Sequence, residues 1–397
     1  MIERNIKNII LKHSKKYPVL ALIGPRQSGK TTLIKNIFPN KEYVNLEDIE
    51  IREFALNDPK GFLNQYKNGL IIDEVQRAPK LFSYIQVIVD EKKKSGMFIL
   101  TGSQNFLLMK NISQSLAGRI VIFNLLPLSS LELSKQKSFN KKSIDEILYQ
   151  GFYPKLYKQK TDIEFYYANY VQTYIERDVR LIKNIGNLSK FRKFLSLCAA
   201  RTGQLLNVSS LANDCGITHH TASEWLSVLE ASFIIYLLKP HHKNYNKRVV
   251  KMPKIYFYDT GLLCFLLGIS NSNQLKSHYL RGGIFESFVI LEFIKFMYNK
   301  GFQNKCYFWR DKIGNEIDLL LENSNRLIPV EIKSGQTITS DYFKGINYYN
   351  KISKNKENIS YLIYGGKEMQ KRTNIEVFGW TGLKDEKNNI LNKIIKI

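Results

Sequence analysis

Cysteine, acid and long apolar runs are what this sequence has little of. Only four cysteines occur in 397 residues: Cys198, Cys215, Cys264 and Cys306. They stand far apart and form no Cys-x-x-Cys pair, which excludes a zinc ribbon and a disulfide framework and leaves reduced, mostly buried thiols. No apolar run approaches the roughly 18 residues of a membrane span. Residues 1–16 are charged and amphipathic, unlike a secretory signal. A soluble, cytoplasmic chain without a membrane partner is expected. Acid is short: 35 Asp and Glu face 59 Lys and Arg, a net charge of +24. Such an excess suits a polyanionic partner. A Lys-, Asn-, Ile- and Tyr-rich composition of the kind an AT-rich genome produces accounts for it equally well. At 44% hydrophobic and 24% charged the composition is ordinary for a globular protein, and the length suggests two or three domains.

The stretch that organises the rest is Gly24-Pro25-Arg26-Gln27-Ser28-Gly29-Lys30-Thr31. It lies between an apolar run, Val19 to Ile23, and a helix-like run from Thr32. Strand, glycine loop and helix in that order are what a phosphate-binding loop needs. The glycines let the backbone turn, and its N–H groups then face phosphate oxygens. Lys30 is placed to reach the β- and γ-phosphates, and the Thr31 hydroxyl to coordinate Mg²⁺. A second apolar strand, Leu70-Ile71-Ile72, ends in Asp73 and Glu74. Ligands sit at the carboxyl ends of parallel strands, so Asp73 is placed to hold Mg²⁺ and Glu74 to polarise the attacking water. ATP and Mg²⁺ are the expected cofactors.

In chain order, Ile2, Ile6, Ile9 and Ile10 recur at helical spacing. Residues 43–47 read as a strand, 54–66 as helical, 81–93 as an amphipathic helix and 97–103 as another buried strand. Alternating strands and helices imply an α/β fold with a parallel sheet. Thr101, Ser103 and Gln104 end the last strand. Ser103 is the first choice to sense the γ-phosphate and Gln104 the second, with a plain helix cap by Ser103 as the alternative. Arg119, closing Ser115-Leu116-Ala117-Gly118-Arg119, reads as an arginine finger acting within the subunit or on a neighbour, or as a surface arginine. Residues 125–160 read as a helical lid opened by Pro127 and broken at Gly151-Phe152-Tyr153-Pro154. A long helix is expected over 163–182. Within it Arg177 is either a second sensor or a partner of Glu176 or Asp178.

These motifs resemble the AAA+ ATPases of the AAA_14 type, whose ATPase is followed by a region of unknown function called DUF4143. Tyr174-Ile175-Glu176-Arg177-Asp178-Val179 resembles the entry motif of that region, and Tyr258-Asp259-Thr260-Gly261-Leu262 and Glu331-Ile332-Lys333 its later ones. The resemblance covers nearly the whole chain and implies a P-loop ATPase; it implies little about biological role.

Residues 205–238 have helix-turn-helix character: a helix over 208–214, a turn at Cys215-Gly216-Ile217, and a second helix capped by Thr218. Strand-like runs at 233–238 and 254–258 complete the pattern of a winged helix. The ribbon between them carries Lys239, Lys243, Lys247, Arg248, Lys251 and Lys254 with no acid, interleaved with His241, His242 and Tyr245. Contacts to the DNA backbone are one reading, with His219, His220, Thr221 and Ser223 near a groove. Packing on the ATPase core or on a neighbour is the other.

The last part opens with a helix bearing Glu286. Strands at 306–310, 316–321 and 327–333, a helix near 340–349 and a strand at 360–364 give an αβββαβ order. Side chains alternate along a strand, so Glu331 and Lys333 share a face. Asp318 stands beside them if the strands are neighbours. Two carboxylates and a lysine so placed hold Mg²⁺ and activate water for phosphodiester attack, with Glu286 completing the metal shell. The arrangement resembles the PD-(D/E)xK restriction-endonuclease-like superfamily, with Ile317 where proline often precedes the aspartate. An inactive, salt-bridged fold used for docking is the alternative. The expected domains are the ATPase core at 1–125, lid and linker at 126–187, winged helix at 188–275 and nuclease-like domain at 276–397. The partners are ATP, DNA, and a second copy or another protein. The rival function is a nucleotide-dependent signalling switch whose C-terminal half docks a protein and cleaves nothing.

Overall fold

The computed structural model describes residues 2–102, 115–159, 161–175, 187–241, 251–323, 326–353, 359–387 and 389–395. Ser103, Gln104, Glu176, Arg177, Asp178, His242, Lys243, Tyr245, Lys247 and Arg248 lie outside the described residues.

The N-terminal part is a five-stranded parallel sheet of β1 (Val19–Ile23), β2 (Glu42–Asn45), β3 (Leu70–Asp73), β4 (Phe98–Gly102) and β5 (Ile120–Asn124), in the order β2-β3-β4-β1-β5. β1, β3 and β4 are buried along their whole length, which is why they read as unbroken apolar runs rather than alternating ones. Helix Lys30–Ile37 and the N-terminal helix Lys7–Ser14 cover one face through Ile6, Ile10, Leu33 and Ile34. Phe62, Phe82 and Ile85 pack on the other.

Two expected helices differ in the structure. The run at 54–66 is two helices, Ile49–Asn57 and Pro59–Asn64. Pro59 has no N–H for the first and stands at the first turn of the second, where the Asp58 carboxylate accepts from Gly61 N at 2.8 Å. Of the expected helix at 163–182, the described residues are α-helical over Ile163–Tyr170 and a π-helix over Val171–Ile175. The lid is four short helices, Ser130–Leu133, Lys137–Asn140, Ile144–Gln150 and Lys155–Lys158. Capping boxes start two of them, Ser129 with Glu132 and Ser143 with Glu146.

In the middle part, helix Val208–Cys215 ends at Gly216, which adopts φ 64°. Thr218 caps helix His219–Ala231 by accepting from Thr221 N at 3.1 Å. β6 (Ile235–Leu238) and β7 (Lys254–Phe257) then pair antiparallel.

The C-terminal sheet contains β8 (Cys306–Arg310), β9 (Glu316–Asn323), β10 (Arg326–Lys333), β11 (Ser360–Tyr364), β12 (Gln370–Lys371) and β13 (Ile375–Gly379), in the order β12-β13-β11-β10-β9-β8. The expected αβββαβ order is present as helix Arg281–Asn299, β8, β9, β10, helix Lys344–Ser353 and β11. Among the described residues, no helix is long and apolar enough to cross a membrane.

Candidate functional site

The phosphate loop joins β1 to helix Lys30–Ile37. Gly24 turns with φ 152°, and a Cβ there would stand 2.1 Å from the Leu125 carbonyl oxygen, so only glycine lets β1 pass its neighbour. Lys30 is buried, and its ammonium donates to the carbonyls of Gly24 at 3.0 Å and Pro25 at 2.9 Å. Across the loop, the buried Asp73 carboxylate ends β3. It accepts from the Thr31 hydroxyl at 2.7 Å, from the Tyr43 hydroxyl at 2.9 Å, and from the Thr101 hydroxyl. Burial, reinforced by Asp73, raises the Tyr43 phenol well above its ordinary value. Glu74 follows in a left-handed conformation, φ 54°, a strained setting for a side chain with a Cβ. Its carboxylate accepts from the Gln76 amide.

A cavity of about 450 Å³ opens here, lined by Lys30, Thr31, Asp73 and Glu74 below and by Lys155 and Tyr174 above. Lys158 and Arg26 also reach it, and the Arg26 guanidinium lies 5.5 Å from the Tyr174 ring centre. The sequence reading missed the two lid lysines and Tyr174. The only local signal was that Lys155 and Lys158 are the first and last residues of one short helix that follows Pro154.

Arg119 does not face this cavity. It immediately precedes β5, its carbonyl accepts from Val19 N at 3.3 Å, and its guanidinium grips Asp90 at 2.6 and 2.8 Å. Val19 opens β1 and the phosphate loop follows its other end, so Arg119 is at the wrong end of the strands to act as a finger within its own subunit.

Arg4, also missed, is a buried tie behind the loop. Its guanidinium donates to the carbonyls of Ser28 at 2.8 Å and Leu126 at 2.6 Å, and to Glu132 Oε1 at 3.0 Å. Glu132 Oε2 accepts from Ser129 N at 2.9 Å. The next amide, Ser130 N, donates to Glu292 Oε2 at 2.8 Å. Glu292 pairs with Lys295 at 3.1 Å, and the Lys295 ammonium also donates to the Leu128 carbonyl at 2.9 Å. This polar chain runs from the phosphate loop to helix Arg281–Asn299, whose first turns carry Glu286.

Glu286 belongs to a second site. β9 and β10 are antiparallel with Leu319 opposite Val330, so Asp318 stands across from Glu331. Lys333 bridges them, 2.5 Å from Glu331 Oε1 and 3.5 Å from Asp318 Oδ2. Asp318 Oδ2 also accepts from Ile332 N at 2.9 Å. Glu316 lies two residues before Asp318 on the same face. One oxygen each from Glu286, Glu316 and Asp318 lie within 4.8 Å of one another. Hard oxygens in this number suit Mg²⁺ or Mn²⁺. Glu316 thus joins the expected Glu286 and Asp318, while Glu331 turns one oxygen to Lys333 and keeps its Oε2 buried without a hydrogen-bond partner. Glu316 was missed, although its spacing from Asp318 placed it on the right face. Burial, with Asp318 adding to it, pushes Glu331 up to about 8; burial likewise pushes Glu286 up to about 7. Burial opposes charge on Lys333, but Asp318 and Glu331 outweigh it and hold its ammonium above the usual range.

Two members of the expected basic ribbon turn inward. Lys254 is 3% exposed, with its ammonium 3.0 Å from Glu286, 3.9 Å from Asp318 and in contact with Glu316. His241 is buried against Tyr307, because Lys239 to His241 pairs along the edge of β8 at Phe308. Neither is a DNA-backbone contact. Lys239 and Lys251 are exposed, as are His219 and His220 at the start of the second helix.

Residues 16–134 match the AAA domain family AAA_14, 141–273 a domain of unknown function (DUF8612), and 281–383 a domain of unknown function (DUF4143). The stretches at 174–179 and 258–262 therefore do not fall within the DUF4143 match, and 141–273, which holds both, matches a separate domain. The uncharacterized protein Rv2008c of Mycobacterium tuberculosis is 30% identical over 323 residues, 81% of this chain and 71% of its own length. The uncharacterized protein MJ1544 of Methanocaldococcus jannaschii is 25% identical over 343 residues, 78% of this chain and 73% of its own. Among solved structures, the Walker-type ATPase PABY2304 of Pyrococcus abyssi is similar at 16% identity and TM-score 0.41, covering 67% of this chain and 96% of its own. The chain belongs to the family of AAA-domain P-loop ATPases that carry a C-terminal DUF4143 domain.

Proposed function

We propose that this chain binds ATP with Mg²⁺ at the phosphate loop, hydrolyses it, and uses the nucleotide state to govern a DNA-directed C-terminal half. The observation that carries the first part is the 2.7 Å contact of Thr31 with Asp73 beside Glu74. The hydroxyl and carboxylate are the donor pair that holds Mg²⁺ in phosphate-loop ATPases, and the ion there would neutralise charge on the phosphates. Lys30 exchanges its two loop carbonyls for phosphate oxygens. Glu74 orients the attacking water and takes its proton. Lys155 and Lys158 lend positive charge from the lid. Arg119 remains available only to a neighbouring copy. The four described thiols are free and buried, which suits a reducing, cytoplasmic setting.

The second part rests on the helix-turn-helix with its β6–β7 pair, read as a winged helix, and on the carboxylates of β9 and β10, read as a PD-(D/E)xK-type site. Asp318 with Glu286 and Glu316 would hold the metal, and Lys333 would stabilise charge developing on a phosphodiester. A second reading, a switch that docks a protein and cleaves nothing, draws support from Lys254, whose ammonium already neutralises those carboxylates. The experiment is to assay phosphate release and cleavage of duplex DNA in Mn²⁺, with and without ATP. Asp318→Ala should abolish cleavage and leave ATP hydrolysis intact, since the two sites are built from separate sheets. Absence of hydrolysis ends the first part. Absence of cleavage under every condition selects the docking reading.

A further inference from the structure

We propose that Lys254 is a tethered counter-cation for the C-terminal carboxylates, and that a divalent metal ion and the Lys254 ammonium exclude one another there. The proposal rests on reading Glu286, Glu316 and Asp318 as a cation site. It adds how that site is kept closed and by which part of the chain.

A fully buried lysine is costly unless its charge is matched. Lys254 finds its match in the same three carboxylates whose oxygens converge within 4.8 Å. It comes from outside their sheet, on β7 of the hairpin that follows the helix-turn-helix. That strand is fixed. Lys254 pairs with Leu238 of β6 on one side and bridges Leu205 on the other, and Leu206 N donates to the Pro253 carbonyl at 2.8 Å. Only the four-carbon side chain is left to move. Tyr256, two residues on and so on the same strand face, donates its hydroxyl to Glu286 as well.

A second observation points to a missing ligand. Glu331 Oε2, on the strand next to Asp318, is buried and has no hydrogen-bond partner, although buried polar atoms are nearly always paired. The charges agree. Glu286, Glu316 and Asp318 face Lys254, Lys333 and Arg310, and Arg310 lies 2.9 Å from Glu316. Three carboxylates against three cations leave that count level with Lys254 in place. A divalent ion added beside the ammonium would press like charges together. In the metal-free state the middle part therefore grips the C-terminal sheet through Lys254, and metal loading releases that grip.

The test is Mn²⁺ binding by isothermal titration calorimetry on the full chain, in nucleotide-free buffer and on an Asp73→Asn background that silences the phosphate-loop site. Lys254→Met should tighten Mn²⁺ binding at least tenfold, and Asp318→Asn added to it should remove the gain. A Lys254→Met protein that melts cooperatively yet binds Mn²⁺ no more tightly than its parent overturns the exchange. Should Lys254→Met and the polar Lys254→Gln both unfold in EDTA, recovery of the melting transition in Mn²⁺ supports the exchange, because metal then replaces the lost ammonium; failure to recover overturns it. DNA cleavage is measured on the same proteins. A binding gain without cutting keeps the exchange and ends the nuclease reading. Cutting without a binding gain does the reverse.

Discussion

Arg4 and Glu132, 128 residues apart in sequence, meet through a 3.0 Å bond in the protein interior, and the same guanidinium holds the Ser28 carbonyl inside the phosphate loop. The N-terminal segment, the loop and the first lid helix are thereby one buried polar unit.

Arg4→Met leaves the Glu132 carboxylate buried with no opposite charge beside it. Breaking a buried pair from one side costs about 3–5 kcal/mol. Chemical denaturation should show a loss of that order, with Arg4→Lys falling between variant and parent because it keeps the charge but loses the three-way fork. A stability within experimental error of the parent would show that Arg4 is dispensable.

Lys30→Ala should lose nucleotide binding, because phosphate charge is then uncompensated. Glu74→Gln should bind ATP as before and hydrolyse it about 10²-fold or more slowly, since a positioned base contributes about that much. Fluorescent-nucleotide binding and phosphate release separate the two effects. Normal turnover by Glu74→Gln removes Glu74 from the role of base.

Lys239 and Lys251 are exposed cations on either side of residues 242–250. Replacing both with Ala should weaken duplex DNA binding irrespective of sequence. Each lost phosphate contact should flatten the log–log salt dependence by about 0.9. Anisotropy titrations across salt concentrations measure the slope. An unchanged slope assigns this edge to protein docking.

Glu331 is pushed up to about 8 in the folded chain, above its ordinary 4.5. The folded state therefore holds a proton that the unfolded state has lost between those values. The stability contributed by Glu331 is fully present below pH 4.5 and declines as pH rises toward about 8. In EDTA, the melting temperature of the parent should fall across that window, and Glu331→Gln should flatten the fall. A parallel pH profile in the two proteins refutes this assignment.

What the sequence reveals and what it hides divide by distance along the chain. The phosphate loop, the apolar strands and the strand-face pairing of Glu331 with Lys333 are local patterns, so they are legible in order of appearance. The broken helix at Asp58 is local too, and Pro59 should have signalled it. Lys254 is different. It ends a run of lysines that looks like a solvated ribbon, and only contact with Glu286 and Asp318, 32 and 64 positions away, reveals it as interior. Arg4 and Glu132 pose the same difficulty. The choice among the readings of Arg119 was closed to the sequence for a related reason: a glycine turn before an arginine says nothing about which end of a parallel sheet it occupies.

Helix Arg281–Asn299 presents Glu286 to the carboxylates and Glu292 to Ser130 N. Six residues of α-helix separate the two acids by about 9 Å along the axis and by well over a full turn. Adding or removing one residue between them would rotate one acid by about 100° relative to the other. A lineage carrying this arrangement is free to exchange side chains in the interval, but not to change its length, without surrendering one site or the other.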